Sequence, residues 1–139
     1  MHLYNTLTKQ KEKIDKKEIK MYVCGVTVYD RPHLGHALST ITFDVLHRFL
    51  EYIGYSVIRV QNFTDVDDKI IAKSKELRIS PKEVAEKYIK AFFEDMDNLG
   101  VRRADIHPRA TEDMNEIIEL IKDLIDKNAA YELNGSVYF

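Results

Sequence analysis

A strand-length apolar run, Met21 to Val26, is followed by a helical pattern from about Leu34 to Ile53 and then by a second strand-like run, Tyr55 to Val60. Within the helical stretch Leu38, Ile41, Val45, Leu46, Phe49, Leu50 and Ile53 recur at helical spacing, and Gly54 stops it. The flanking runs are short and rich in β-branched and aromatic residues, which favours strands. Strand, helix and strand within about forty residues make a βαβ unit, whose parallel crossover is expected to be right-handed. The chain is therefore predicted to be an α/β protein built on a Rossmann-like parallel sheet.

The junction between the first strand and the helix reads His33-Leu34-Gly35-His36. Gly35 allows a close approach to the backbone. The helix start points unpaired N–H groups and a positive dipole end at whatever lies before it. Two imidazoles around that point make a short anion-handling device suited to a polyphosphate. Pro32 fits just ahead of the helix, where its fixed φ helps and a missing N–H costs nothing.

Three more helices are expected. Thr64 caps the first, with Asp65, Asp67 and Asp68 in its positive first turn. Ser80-Pro81 opens the second, which places Val84, Tyr88, Phe92, Met96 and Leu99 on one face and ends at Gly100. Thr111 caps the third, with Met114, Ile117, Ile118, Ile121, Leu124 and Ile125 as its buried stripe. Asn134-Gly135 between short strand-like runs predicts a type I′ hairpin at the C-terminus. Residues 1–20 mix lysines with acids, the pattern of a solvated surface.

Composition narrows the class. The chain has 139 residues, 45% hydrophobic and 32% charged, which fits a globular domain and argues against disorder. A net charge of −2 advertises no basic field for nucleic acid. Cys24 is the only cysteine, so no internal disulfide forms. No secretory leader and no apolar run of about twenty residues is present, so no membrane span is expected and the cytoplasm is the default compartment.

The blocks Met21-Tyr22-Val23-Cys24-Gly25-Val26-Thr27-Val28-Tyr29-Asp30, His33-Leu34-Gly35-His36, Phe43-Asp44-Val45-Leu46 and Gln61-Asn62-Phe63-Thr64-Asp65-Val66-Asp67-Asp68-Lys69-Ile70 together resemble the N-terminal part of the cysteinyl-tRNA synthetases. These are class I enzymes whose "HIGH" motif corresponds to His33–His36. The resemblance runs from Leu3-Tyr4-Asn5-Thr6 through Pro108-Arg109-Ala110-Thr111 to the end. It implies that residues 1–129 are the first half of a nucleotide-binding catalytic domain and that 130–139 begin a connective insertion. The family's second half has no counterpart here, and the terminal hairpin reads as a truncation.

The resemblance implies ATP-dependent activation of L-cysteine and its transfer to tRNA(Cys), by an enzyme that is a monomer when complete. His33 and His36 become the catalytic donors to phosphate oxygens, with Gly35 giving clearance under the nucleotide. ATP is used with Mg2+. Cys24 corresponds to the first ligand of a zinc ion that reads the substrate sulfur, the other ligands being expected from the missing half. Apart from the resemblance, a lone cysteine at a strand end reads as a small buried hydrophobe.

Thr27 and Gly25 are candidates on the amino-acid side, although a loop-stabilising hydroxyl accounts for Thr27 equally well. Tyr29 and Asp30 share that loop and stay unassigned. Asp65, Asp67 and Asp68 are of a type to hold magnesium, but helix capping explains them without a metal. His107 reads as a loop or surface residue. Lys73-Ser74-Lys75 imitates the family's mobile lysine motif but falls inside an expected helix. Leu38 stands where many relatives place arginine, which removes one nucleotide contact. Two other functions remain open: a cysteine ligase acting on an amino-sugar acceptor, and a non-catalytic nucleotide-binding half-domain.

Overall fold

The computed structural model describes residues 1–139. Its centre is the expected unit. Strand β3 (Glu18–Thr27), helix α1 (Leu34–Tyr52) and strand β4 (Ser56–Thr64) follow in order, with β3 and β4 paired in parallel from Glu18↔Ser56 to Thr27↔Thr64. Residues 106–109 add a third parallel segment beside β4. Gln61 and Phe63 donate their N–H groups to the carbonyls of Ile106 (3.0 Å) and Pro108 (2.8 Å).

Strand β4 continues four residues beyond the expected end. Its inward members alternate Val57, Arg59, Gln61 and Phe63, all buried. Two polar residues on the inner face break the apolar pattern that sequence periodicity relies on.

One hydrophobic core lies against this inner face. Phe63, Val28, Ile70 and Val101 pack with Val84, Tyr88, Ile89, Phe92 and Met96 of helix α3 (Pro81–Asn98). The Phe63 ring meets Phe92 and Phe93 edge-on, each at 5.4 Å, a favoured aromatic geometry. Ser80 caps α3 in a capping box with Glu83, and Pro81 occupies the first turn, as predicted. Leu99, expected on the buried face, is exposed.

Three expectations about helices need correction. Thr64 is the last residue of β4; helix α2 (Asp68–Leu77) is capped by Asp67, whose carboxylate accepts the Lys69 N–H at 2.8 Å. Thr111 caps nothing. It bonds to buried Asp65, giving its N–H (2.9 Å) and its hydroxyl (2.5 Å) to that carboxylate. The stripe predicted for helix α4 (Met114–Asp126) exists, but none of its residues is buried.

In α1 only part of the expected stripe turns inward. Its apolar positions Leu38, Val45 and Phe49 are exposed, while Thr40, Asp44, His47 and Leu50 face the interior. Period fixes a helix, but the inward side is decided by partners, here Arg59 on β4.

Residues 1–20 contain a hairpin that the charge pattern concealed, β1 (His2–Asn5) with β2 (Gln10–Lys13). The C-terminal hairpin β5 (Tyr131–Leu133) and β6 (Ser136–Tyr138) forms as predicted, with Asn134 and Gly135 both at positive φ, as a type I′ turn requires. No helix is long and apolar enough to cross a membrane.

Candidate active site

Strand β3 ends at Thr27, and seven residues later α1 begins. This junction sits at the carboxyl end of a parallel sheet, the position where open α/β folds bind ligands. His33 is the N-cap of α1, and His36 is its third residue. The Gly35 N–H donates to His33 Nδ1 (3.0 Å), and the His33 N–H donates to His36 Nδ1 (3.2 Å). Two histidines thus form a reciprocal capping box of the kind usually built from a hydroxyl and a carboxylate. Their rings stack with centroids 3.8 Å apart and planes 19° from parallel.

This arrangement has a chemical consequence. Each Nδ1 is an acceptor, so the proton of each neutral imidazole lies on Nε2. Both Nε2–H groups are left for a ligand. Of the N–H groups at the helix start, that of Gly35 is taken by His33 Nδ1 and that of His36 by the His33 carbonyl. The imidazoles carry the donor function outward.

Gly35 leaves room for the cap, since a Cβ there would lie 2.9 Å from the His33 ring and push it aside. Burial, with a further contribution from His33, holds His36 below the usual imidazole range. Protonation would convert its Nδ1 from acceptor to donor and open the cap.

The sign is therefore fixed: a lowered folded-state pKa gives stability that is present above about 6.5 and lost as pH falls through the folded value. His47 and His107 are lowered as well, again chiefly by burial. Thermal stability is expected to fall between pH 7.5 and 5.5, with the His36 ring titrating below a peptide imidazole by NMR. A His36 titration at or above the peptide value would contradict the cap.

The amino-acid-side candidates lie on β3. Thr27 is half-buried and paired with Thr64 within the ladder, not in a loop. Cys24 is exposed, so it is no core hydrophobe. Gly25 has a packing role: any side chain there would overlap the carbonyl of Asn62.

No three His, Cys, Asp or Glu side chains come together to hold a metal ion. Asp65, Asp67 and Asp68 diverge into a buried clasp on Thr111, a helix cap and a first-turn position.

His107 is half-buried in the irregular segment beside β4. Its Nδ1 meets the Gln61 carbonyl at 2.8 Å, and its ring stacks on Phe63 at 5.3 Å. Lys73 lies within α2 and pairs with Glu76 at 3.0 Å. A cavity of about 370 Å³ between α2, α3 and Arg109 contains neither the histidine pair nor Cys24.

A parallel strand–helix–strand with an imidazole pair at its carboxyl end is an α/β unit of Rossmann type. Residues 10–139 match the family model for the class I (C) tRNA synthetase catalytic domain, and the chain belongs to that family. It is 56% identical over 142 residues to the cysteine–tRNA ligase of Clostridioides difficile (strain 630), covering 100% of this chain and 30% of that protein. It is equally similar, with the same coverage, to the cysteine–tRNA ligase of Pyrococcus horikoshii.

Among solved structures the fold matches the agnB2 LeuRS of Agrobacterium radiobacter K84, crystallised in a ternary complex with tRNA and LeuAMS. The TM-score is 0.68 at 18% identity, over 86% of this chain and 16% of that one. The chain spans about 30% of the length of the curated relatives it matches.

Proposed function

We propose that this chain supplies the first half of the catalytic domain of a cysteine–tRNA ligase, with residues 130–139 opening a connective insertion. The interlocked pair His33–His36, whose Nδ1 atoms are both taken as acceptors so that both Nε2–H groups remain to donate, carries this reading. In the reaction the cysteine carboxylate attacks the α-phosphorus of ATP, a new O–P bond forms, and pyrophosphate leaves. Negative charge spreads over phosphate oxygens in the transition state, so fixed donors contribute more there than in the ground state. His33 and His36 donate to those oxygens, and the reciprocal cap holds both rings before substrate arrives.

ATP enters with Mg2+ as substrate, and the resulting cysteinyl-adenylate passes its acyl group to tRNA(Cys). Thr27 and Gly25 line the amino-acid side. Cys24 is one ligand of a zinc ion whose remaining ligands lie outside residues 1–139. Relatives named cysteine–tRNA ligase favour tRNA over an amino-sugar acceptor, and we assign the chain to a cytoplasmic enzyme that works as a monomer.

The test is cysteine-dependent ATP–pyrophosphate exchange. This chain alone is expected to bind an adenylate analogue weakly and to exchange slowly or not at all, and an enzyme of the relatives' full length to exchange fully. In that longer enzyme Cys24→Ser is expected to raise the KM for cysteine far more than that for ATP. Full exchange by residues 1–139 would contradict the division of labour, and an ATP-selective defect would remove Cys24 from the amino-acid side.

A further inference from the structure

The ladder between β3 and β4 is interrupted at one place. Val23 pairs with Gln61 and Val26 with Phe63, so Cys24 and Gly25 together oppose the single residue Asn62. Two residues against one is a bulge, which normally leaves the extra residue unpaired and re-aims a side chain. Here the gap is filled. Asn62 Oδ1 accepts the Gly25 N–H at 2.8 Å and the Tyr22 hydroxyl at 3.0 Å. One oxygen thus ties the residue after Cys24 to the residue two before it. The Asn62 carbonyl closes over Gly25 from the same strand.

We infer that Asn62 is a positioning residue: it fixes the Cys24–Gly25 bulge and so sets the direction in which the exposed Cys24 thiol is presented. A plain strand would have placed Cys24 in register with β4 and needed no side-chain acceptor. The bulge requires one, and a glycine after the cysteine so that the strands can close. The inference rests on the reading that Cys24 faces the amino acid only for its functional consequence.

The chain's single cysteine makes the geometry directly readable. A nitroxide attached through a disulfide reports Cys24 alone, and amide exchange reports the Gly25 N–H. Asn62→Leu removes the acceptor at similar volume. It is expected to speed Gly25 exchange by about tenfold or more, the loss of one hydrogen bond, and to sharpen the nitroxide spectrum toward free motion. Asn62→Asp keeps the acceptor oxygen and is expected to retain both signatures of the native chain.

Circular dichroism verifies folding, and Asn62→Ala, which adds no bulk, replaces the leucine variant should that one not fold. Unchanged exchange and unchanged label motion in a folded variant lacking the acceptor would overturn the inference. In an enzyme of the relatives' full length, Asn62→Leu is expected to raise the KM for cysteine about tenfold while leaving kcat and the KM for ATP within about twofold. A loosened bulge with an unaltered cysteine KM would leave Asn62 as the positioning residue and count against Cys24 as the amino-acid-side group.

Discussion

Replacing His36 by alanine in an enzyme of the relatives' full length is expected to lower cysteine-dependent ATP–pyrophosphate exchange by roughly 10²–10³-fold, the usual effect of deleting one preorganised donor to a developing oxyanion. The effect has two sources. The variant loses the Nε2–H of His36, and it also loses the Nδ1 that accepts the His33 N–H at 3.2 Å and the ring stacked on His33.

Removing one half of the capping box costs about 1 kcal/mol of helix stability. A fall in melting temperature is therefore expected alongside the rate loss. His36→Asn separates the two, because an amide oxygen can accept at the cap without placing an N–H where Nε2–H stood. It is expected to restore much of the stability and little of the rate. Recovery of both would reduce His36 to a helix cap, and a defect confined to tRNA affinity would remove it from the activation step.

The histidine device is legible in the sequence because its parts are consecutive and its helix begins at an ordinary boundary. What the sequence does not show is the reciprocal hydrogen bonding, since capping boxes are recognised by hydroxyl and carboxylate residues. The parallel pairing of β3 with β4 and the caps Ser80 and Pro81 are legible for the same local reason.

The departures share a different origin. Thr64 and Thr111 are sensible caps by type. Thr64 is claimed by the strand ladder and Thr111 by Asp65, which lies 46 positions away. Asn62 falls within a motif yet shows no role in the sequence, because its partners Gly25 and Tyr22 meet it only after the strands pair. The inward face of α1 escapes periodicity for the same reason: Asp44 and His47 are polar, and only the buried Arg59 on β4 explains why Asp44 turns inside.

That arginine makes Asp44→Ala the most destabilising substitution expected here, by about 3 kcal/mol, the low end of what breaking a buried pair costs. The Arg59 side chain is 2% exposed, and its nearest carboxylate on α1 is Asp44 at 3.6 Å. One end of the guanidinium donates to the Arg102 carbonyl, while Nε has no partner. Asp105 stays nearby after the substitution, its carboxylate taking the Arg59 backbone N–H at 2.6 Å, which is why the low end applies.

Distance alone would rank the pairs wrongly. Arg103 and Asp97 approach to 2.7 Å, but both are exposed, and such a pair is worth about 0–1 kcal/mol. Urea unfolding of Asp44→Ala and Asp97→Ala compares the two directly. The double variant Asp44→Leu, Arg59→Met is expected to recover most of the loss, since replacing both members of a buried pair with apolar groups is often neutral.

Equal midpoints for Asp44→Ala and Asp97→Ala would show that Arg59 is solvated and that the pair does not fasten α1 to β4. A large Asp44 effect would instead join the core to the site. Asp44 lies about three turns along the helix that His33 and His36 cap, so the ion pair holding α1 against β4 also holds the imidazole donors at the end of the sheet.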